Sequence, residues 1–314
     1  MTLALIFPGQ GSQSVGMGKA LHDAFAESRR VFEEVDEALG EALSSVIFEG
    51  PEDRLTLTAN AQPALLAVSM AALRAMEARG FDLKSRAAFV AGHSLGEYSA
   101  LAAAGALEIG DAARLLRIRG DAMQAAVPPG KGAMAAILGL DHDAVAAVTA
   151  EASEGGSLCQ PANDNGGGQI VISGDADAVE RAMALATARG AKRAIALSVS
   201  APFHSALMAP AAERMQEALA SAAIRRPAVP LIANVLARPV EEPDEIRRLL
   251  VEQVTGQVRW RESMEFLAAA GVDELYEVGS GKVLAGLAKR IDKSLNARSI
   301  GAPADIDAVL PSSS

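Results

Sequence analysis

The chain has 314 residues, of which 50% are hydrophobic and 22% charged, enough apolar material for one large domain with an insertion or for two domains. Its formal net charge of −10 argues against nucleic acid and anionic membrane surfaces as partners, because both attract basic proteins. The single cysteine, Cys159, excludes an internal disulfide and fits a reducing compartment, where we expect it to be a small core residue.

The first apolar run, LALIF at 3–7, lacks a preceding basic region and ends at Pro8. No later stretch approaches the roughly 18 apolar residues that span a bilayer. The sequence therefore predicts a soluble cytoplasmic protein, which we expect to be a monomer.

Apolar runs bounded by glycine or proline alternate along the chain with amphipathic helical stretches. The apolar runs, which predict buried parallel strands, are LALIF at 3–7, AAFVA at 87–91, PLIAN at 230–234 and ELYEV at 274–278. The predicted helical stretches are 17–39, 62–79, 111–126 and 244–270. This alternation predicts an α/β fold with a parallel-sheet core of the hydrolase type.

The segment 129–198 has a different order of predicted elements: strand, helix, strand, strand, helix, strand. The six runs are 132–140, 141–152, 157–163, 169–174, 176–188 and 191–199. This order is that of a ferredoxin-like fold. We therefore expect a small ferredoxin-like domain at 129–198, inserted into a large domain formed by 1–128 and 199–314. Its hinges would be the stretches at 128–132 and 200–202, and we expect 301–314 to be a loose tail.

A candidate nucleophile lies in GHSLG at 92–96, which fits the motif G-x-S-x-G between a predicted strand and a predicted helix. This is the context of a nucleophile elbow. In so tight a turn, side chains at 92 and 96 would collide with neighbouring backbone, which explains the two glycines. The following helix directs its N-terminal dipole at Ser94 and favours negative charge there. We predict that Ser94 is a nucleophile.

The base for Ser94 can be sought among four histidines. His22 belongs to a polar helical face, and His142 lies between two aspartates at a helix start. His93 is adjacent to Ser94 and must point elsewhere, because neighbours in a sharp turn diverge. His204 lies between prolines at the predicted domain junction, where a side chain can face a cleft. We predict His204 as the base, with a buried structural histidine as the alternative.

No acid stands after a strand as an obvious third member to orient the imidazole. The polar run VEQVTGQ at 251–257 offers Gln253 and backbone carbonyls instead. A carbonyl can accept the Nδ1 proton and fix the tautomer without a carboxylate.

Arg119 falls inside the apolar stripe of the predicted helix 111–126, four residues after Leu115 and four before Met123. A buried guanidinium keeps its charge and needs an anionic or multiply hydrogen-bonded partner. Two interpretations are open at this point. Arg119 forms a buried ion pair with an internal carboxylate, or it is a bidentate clamp for a substrate carboxylate.

Ser94, His204 and Arg119 lie in motifs through which the chain closely resembles malonyl-CoA:acyl-carrier-protein transacylases, the acyltransferase family of fatty-acid and polyketide synthesis. The resemblance spans almost the whole chain. The motifs are FPGQGSQ at 7–13, NAQPALL at 60–66, GHSLGEYSAL at 92–101, RGDAMQ at 119–124, GAMAAI at 132–137, PFHSALM at 202–208, EQ at 252–253 and LYEVGSGKVLAGL at 275–287.

The resemblance implies a two-step reaction without metal or other cofactor. Ser94 is acylated by malonyl-CoA, and His204 activates Ser94 and then the incoming phosphopantetheine thiol of acyl carrier protein. The backbone N–H groups of Gln10 and Leu95 form the oxyanion hole. Arg119 pairs with the malonyl carboxylate.

Further substrate-binding roles follow from the same resemblance. Gln253 supplies the contact that orients the histidine in place of an acid, and Gln62 and Met123 line the pocket. Phe203 is the type of residue that accompanies malonyl selection in related polyketide acyltransferases, although Pro202 replaces the alanine often found before it.

The carrier protein is usually acidic and this chain is acidic too, so docking requires a local basic patch. The candidates are Lys289 and Arg290 together with Lys192 and Arg193.

Two other classes of protein stay open at this point. A serine esterase or thioesterase would use the same elbow without the Arg119 clamp, and a non-catalytic scaffold would keep only the fold. Within the transferase interpretation, fatty-acid synthesis, a free-standing polyketide acyltransferase and a malonate decarboxylase complex are alternatives.

Overall fold

The computed structural model describes residues 2–199 and 201–310, which form two separate sheets and the helices around them. The strands are β1 (Leu3–Phe7), β2 (Ala87–Gly92), β3 (Gly132–Leu138), β4 (Cys159–Asp164), β5 (Gln169–Asp175), β6 (Arg193–Ala196), β7 (Leu231–Ala233), β8 (Arg238–Val240), β9 (Glu274–Val278) and β10 (Asn296–Ile300).

The helices are also numbered in chain order, and a 3₁₀ turn at Ala206–Met208 precedes the eleventh helix. They are α1 (Lys19–Ala24), α2 (Ala26–Leu39), α3 (Leu43–Glu49), α4 (Glu52–Thr56), α5 (Thr58–Ala78), α6 (Leu83–Arg86), α7 (Gly96–Ala103), α8 (Ile109–Ala125), α9 (His142–Ala152), α10 (Ala176–Ala188), α11 (Ala209–Ala220), α12 (Pro243–Thr255), α13 (Trp260–Ala269), α14 (Val283–Ile291) and α15 (Pro303–Val309). None of these helices combines the length and the apolar character that crossing a bilayer requires.

The large sheet has the strand order β10-β9-β1-β2-β7-β8. All neighbouring pairs are parallel except β7 and β8. Every residue of β1 and of β9 is buried, as expected for continuous apolar strands covered by helices on both faces. The four predicted strands form the centre of this sheet, and the predicted α/β parallel core is confirmed.

The small sheet has the order β4-β5-β3-β6 and is antiparallel throughout. Counted within this unit, the order from the other edge is 4-1-3-2, which is the ferredoxin-like topology. Helices α9 and α10 cover it and share an apolar core with its strands, in which Cys159 is 4% exposed. The sheet lies within the predicted insertion 129–198; the exact domain limits and the hinge at 128–132 stay predictions. Residue 200 of the second predicted hinge lies outside the described residues.

Two predicted helical stretches are interrupted. The stretch 17–39 is divided into α1 and α2 at Phe25, which has extended backbone. The stretch 244–270 is divided into α12 and α13 by residues 256–259. Here the chain leaves the helix because Val258 pairs with the small sheet: its N–H donates to the Ala162 carbonyl at 2.8 Å, and its own carbonyl accepts from the N–H of Asp164 at 2.9 Å.

The prediction of a loose tail at 301–314 is wrong for its described part. Strand β10 adds a parallel edge to β9, and α15 follows it with Ile306 fully buried. The strand was missed because its residues NARSI alternate between exposed and buried, as at a sheet edge. Residues 311–314 of the predicted tail lie outside the described residues.

The turn between β2 and α7 depends on two close backbone approaches. A Cβ on Gly92 would lie 1.9 Å from the carbonyl oxygen of Gly96, and a Cβ on Gly96 would lie 2.3 Å from that of Phe7. The predicted steric reason for both glycines is confirmed.

We expect the change Gly96→Ala to lower the free energy of unfolding by about 2 kcal/mol or more, because the Cβ would meet rigid backbone. The matched control is Gly286→Ala in α14, where the added Cβ would meet no described atom within 4 Å apart from its chain neighbours and the backbone of its own helix. The control should raise the free energy of unfolding by up to about 1 kcal/mol through helix propensity. Urea unfolding followed by circular dichroism measures both, and an unchanged midpoint for Gly96→Ala would contradict the tight turn.

Candidate active site

A cavity of about 380 Å³ opens at the carboxyl ends of β1 and β2, between the large sheet and the small sheet. Its wall is formed by the turn after β1, the turn after β2, part of α8, residues of the small sheet and the first turns of α14. The carboxyl ends of parallel strands at a change of chain direction are where α/β proteins place their ligands.

Ser94 and His204 meet in this cavity although 110 residues separate them. The distance from Ser94 Oγ to His204 Nε2 is 2.7 Å. Both residues have left-handed backbone, with φ of 54° and 55°, which is costly for residues other than glycine and is common at functional sites. At Ser94 this is the sharp strand-to-helix turn that presents the hydroxyl to the cavity.

The other imidazole nitrogen of His204 faces two backbone carbonyls. Nδ1 lies 2.9 Å from the oxygen of Gln253 and 3.2 Å from that of Gly256. Carbonyl oxygens only accept hydrogen bonds, so Nδ1 carries the proton and Nε2 is left free to accept from Ser94. Burial, together with the positive charge of Arg119, lowers the pKa of His204 to about 3, so the ring is neutral near pH 7.

His93 points away from its neighbour, as predicted from the sharp turn. Its Nε2 lies 2.9 Å from Asn165 Oδ1, and its ring is 5.5 Å from the ring of Trp260. Burial lowers the pKa of His93. His22 and His142 do not line the cavity.

Arg119 is 1% exposed and directs its guanidinium at the reactive hydroxyl. Nη2 donates to Ser94 Oγ at 3.1 Å and to Gln253 Oε1 at 2.9 Å, and Nη1 donates to Gln62 Oε1 at 2.7 Å. All three acceptors are neutral oxygens. Within residues 2–199 and 201–310 the guanidinium therefore has no direct carboxylate partner, and of the two interpretations the internal ion pair is wrong.

The two backbone N–H groups predicted as an oxyanion hole, those of Gln10 and Leu95, both belong to residues that line the cavity. Neither N–H has an acceptor among the described residues. The side chain of Gln10 is held separately, since its Oε1 accepts from Thr58 Oγ1 at 3.1 Å. The turn after β1 and the elbow after β2 thus each contribute a cavity-lining residue whose N–H has no acceptor among the described residues, and their role as an oxyanion hole stays a prediction.

The remaining predicted substrate-binding residues lie around the same space. Gln62 and Met123 are 1% exposed and Phe203 is 8% exposed, and all three line the cavity. Gln253 is fully buried and lies behind Ser94 and Arg119. No three His, Cys, Asp or Glu side chains of the described residues are grouped as metal ligands.

Sequence reasoning missed two buried residues at this site. Asn234 follows β7; its Oδ1 accepts from the N–H of Ser94 at 2.8 Å, and its Nδ2 donates to the carbonyl of Gly92 at 2.7 Å, so it fixes both sides of the elbow. Glu97, in the first turn of α7, accepts from Gln253 Nε2. The available signals were a polar residue directly after a buried strand and a carboxyl group inside an apolar helix.

The predicted docking residues are all exposed, and two of them lie near the glycine turn 166–168. Arg290 packs beside Gly167, and its Nη2 lies 3.4 Å from Gln169 Oε1. Lys192 packs beside Gly139, whose N–H donates to the carbonyl of Gly168. Arg290 and Lys192 therefore lie near the same glycine turn, and a role of the four basic residues in docking stays a prediction.

Comparison with known proteins connects this geometry to a family. Residues 4–289 match the model of the acyl transferase domain. The malonyl CoA-acyl carrier protein transacylase of Bacillus subtilis (strain 168) is 50% identical over 305 residues, which is 97% of this chain and 95% of that protein.

Solved structures agree with this match. The acyl-carrier-protein-S-malonyltransferase of Bartonella henselae shares 60% identity and superposes with a TM-score of 0.97, covering 99% of this chain and 98% of that one. A malonyl-transacylase in complex with a type II PKS acyl-carrier protein shares 42% identity with a TM-score of 0.95, covering 99% of each chain. The resemblance predicted from the motifs is confirmed, and the chain belongs to the acyl transferase domain family.

Proposed function

We propose that this protein transfers the malonyl group from malonyl-CoA to the phosphopantetheine thiol of acyl carrier protein, through a malonyl ester of Ser94. The observation that carries the proposal is the position of Arg119, a buried cation that has no carboxylate partner within residues 2–199 and 201–310 and whose Nη2 lies 3.1 Å from Ser94 Oγ. A serine hydrolase of neutral esters does not need this cation. An enzyme whose acyl group ends in a carboxylate does, because the carboxylate can pair with the guanidinium.

The first half-reaction begins with proton transfer from Ser94 Oγ to the neutral Nε2 of His204 over the 2.7 Å contact. The oxygen attacks the thioester carbonyl, and the negative charge that develops on the carbonyl oxygen is stabilised by the N–H groups of Gln10 and Leu95. The carbon–sulfur bond then breaks. The CoA thiolate leaves with the proton from Nε2, and His204 returns to its neutral form.

The second half-reaction uses the same groups in the opposite direction. The thiol of the carrier's phosphopantetheine gives its proton to His204 Nε2 and attacks the ester carbonyl. Ser94 leaves as the alkoxide and takes the proton back from Nε2. Each half-reaction therefore restores the starting protonation state, and the N–H groups of Gln10 and Leu95 serve both tetrahedral intermediates.

Arg119 selects the acyl group in this proposal. A hydrogen bond to a charged group contributes about 1.5–3 kcal/mol. This corresponds to a preference of about 10- to 100-fold for malonyl over acetyl, which lacks the carboxylate. Phe203, Gln62 and Met123 line the space around the acyl chain, and we assign to the bulk of Phe203 a preference for the unbranched malonyl group.

The partner, location and pathway complete the proposal. The similar malonyl-transacylase that was solved with an acyl-carrier protein supports such a carrier as the partner here. We propose that Lys289, Arg290, Lys192 and Arg193 attract the acidic carrier to the cavity entrance. The single cysteine fits a cytoplasmic enzyme. We propose that it acts as a monomer and supplies malonyl groups for fatty-acid synthesis.

The assignment is tested by intact-protein mass after brief mixing with malonyl-CoA or with acetyl-CoA. Wild type should gain a malonyl adduct far faster than an acetyl adduct, and Ser94→Ala should gain neither. Arg119→Ala should malonylate about 10- to 100-fold more slowly, because the carboxylate loses its charged donor. The matched control is Arg114→Ala, an exposed arginine of the same helix that pairs with Asp111, which should behave as wild type. An unchanged donor preference in Arg119→Ala would contradict the proposal.

The acidic limb of the rate profile tests the base. Because the buried ring of His204 stays neutral until about pH 3, malonylation by the free enzyme should persist well below the ordinary imidazole pKa of about 6.5. In the unfolded chain the same ring takes up a proton below about pH 6.5, so its contribution to stability is present above that pH and is lost as the pH falls. Stopped-flow rates of Ser94 malonylation and urea unfolding, both measured against pH, check the two statements. A rate inflection near pH 6.5 would refute the neutral, buried base.

A further inference from the structure

Glu97 is a buried carboxyl group for which the proposed reaction has no direct use. It lies three residues after Ser94, in the first turn of α7, and is 1% exposed. A buried carboxyl group this close to a reactive centre is costly unless it is hydrogen-bonded or neutral. Its partners therefore indicate what it does.

Glu97 is linked to Arg119 through the side chain of Gln253. Gln253 Nε2 donates to Glu97 Oε2 and, at 2.9 Å, to the carbonyl of Ser94. With its NH₂ group held by these acceptors, the amide must present its oxygen to the other side. That oxygen accepts from Arg119 Nη2 at 2.9 Å. Glu97 and the Ser94 carbonyl thus together fix which end of the Gln253 amide faces the guanidinium.

The charge on Glu97 bears on the same guanidinium. The titratable groups around this carboxyl are Arg119 on α8, Tyr98 on its own helix and His204, whose Nδ1 faces the backbone of Gln253. Of these only Arg119 is charged near pH 7. Burial raises the pKa of Glu97 to about 8, against the opposing effects of Gln253, the Asn234 backbone and Arg119. The carboxyl is therefore mostly neutral near pH 7 and ionises in mild base.

We propose that Glu97 is a positioning residue whose charge sets the attraction of the pocket for an anionic acyl group. The inference rests on the proposed function. When Glu97 is neutral, the positive charge of Arg119 is available to the malonyl carboxylate, and the Gln253 amide holds the guanidinium in place. When Glu97 is ionised, it supplies an internal counter-charge for Arg119 and repels a second carboxylate in the same buried space.

The direction of the pH effect follows from this competition. The preference for malonyl over acetyl is present while Glu97 is protonated and is lost as the pH rises through its pKa. By linkage, malonylation of Ser94 favours the protonated form, so a malonylated enzyme takes up a proton in mild base. Acetylation brings no charge and leaves Glu97 unaffected.

The experiment measures initial rates of Ser94 acylation by malonyl-CoA and by acetyl-CoA, by rapid quench and intact mass, across neutral and mildly alkaline pH. The ratio of the two rates is the readout, because ionisations of CoA and of His204 affect both donors alike. For wild type the ratio should fall about tenfold between about pH 7 and about pH 9. Glu97→Gln keeps a carbonyl that can accept from Gln253 but does not ionise, so its ratio should be constant.

The matched control is Glu274→Gln, a buried acid on β9 outside the cavity lining, which should show the same fall as wild type. A wild-type ratio that does not change with pH overturns the inference, and so does the same fall in Glu97→Gln. If Glu97→Gln does not fold, the wild-type ratio decides. Absence of any malonyl adduct on Ser94 at neutral pH would instead reject the proposed function, so the two failures are distinguishable.

Discussion

The arrangement of the site depends on Gln253, a neutral residue that contacts all three reactive groups. Its backbone carbonyl accepts from His204, its side-chain oxygen accepts from Arg119, and its NH₂ group donates to the carbonyl of Ser94. The imidazole is held by the backbone carbonyl, so its orientation does not depend on this side chain. A carboxylate side chain in this place would raise the pKa of His204 and neutralise Arg119. A neutral amide fixes the geometry and leaves the guanidinium charge for the substrate.

The fold produces this arrangement because several strands and helices end at the wall of the cavity. Strands β1 and β2 end beside each other, and the turns that follow them bring Gln10 and Leu95 to the cavity wall. Helix α12 ends at Thr255, and the next residue, Gly256, gives His204 a second carbonyl at 3.2 Å. The extended residues that follow pair with the small sheet through Val258, so the same break that completes the imidazole contacts also joins the two sheets.

Local patterns in the sequence are sufficient to predict both sheets and the turn that holds Ser94. Continuous apolar runs predict the buried parallel strands, and the alternation of short elements predicts the ferredoxin-like order. The two glycines of the elbow follow from the steric limits of the turn. The features that the sequence did not predict depend on contacts between residues that are far apart in the chain. The helix breaks at Gly256 because the backbone of Val258 forms hydrogen bonds with β4, nearly 100 residues earlier in the chain. Residues 296–300 form β10 because they pair with β9. Asn234 and Glu97 leave only a weak local signal in the sequence, because their roles depend on partners that folding brings together.

We propose that the guanidinium of Arg119, which has no carboxylate partner within residues 2–199 and 201–310, binds the malonyl carboxylate beside Ser94. A crystal structure of the malonylated enzyme tests it most directly. We expect the malonyl carboxylate to lie within hydrogen-bond distance of Arg119, the guanidinium to have released Ser94 Oγ, and the ester carbonyl oxygen to face the N–H groups of Gln10 and Leu95. A malonyl carboxylate directed into solvent, with Arg119 still bonded only to Gln62 and Gln253, would contradict it.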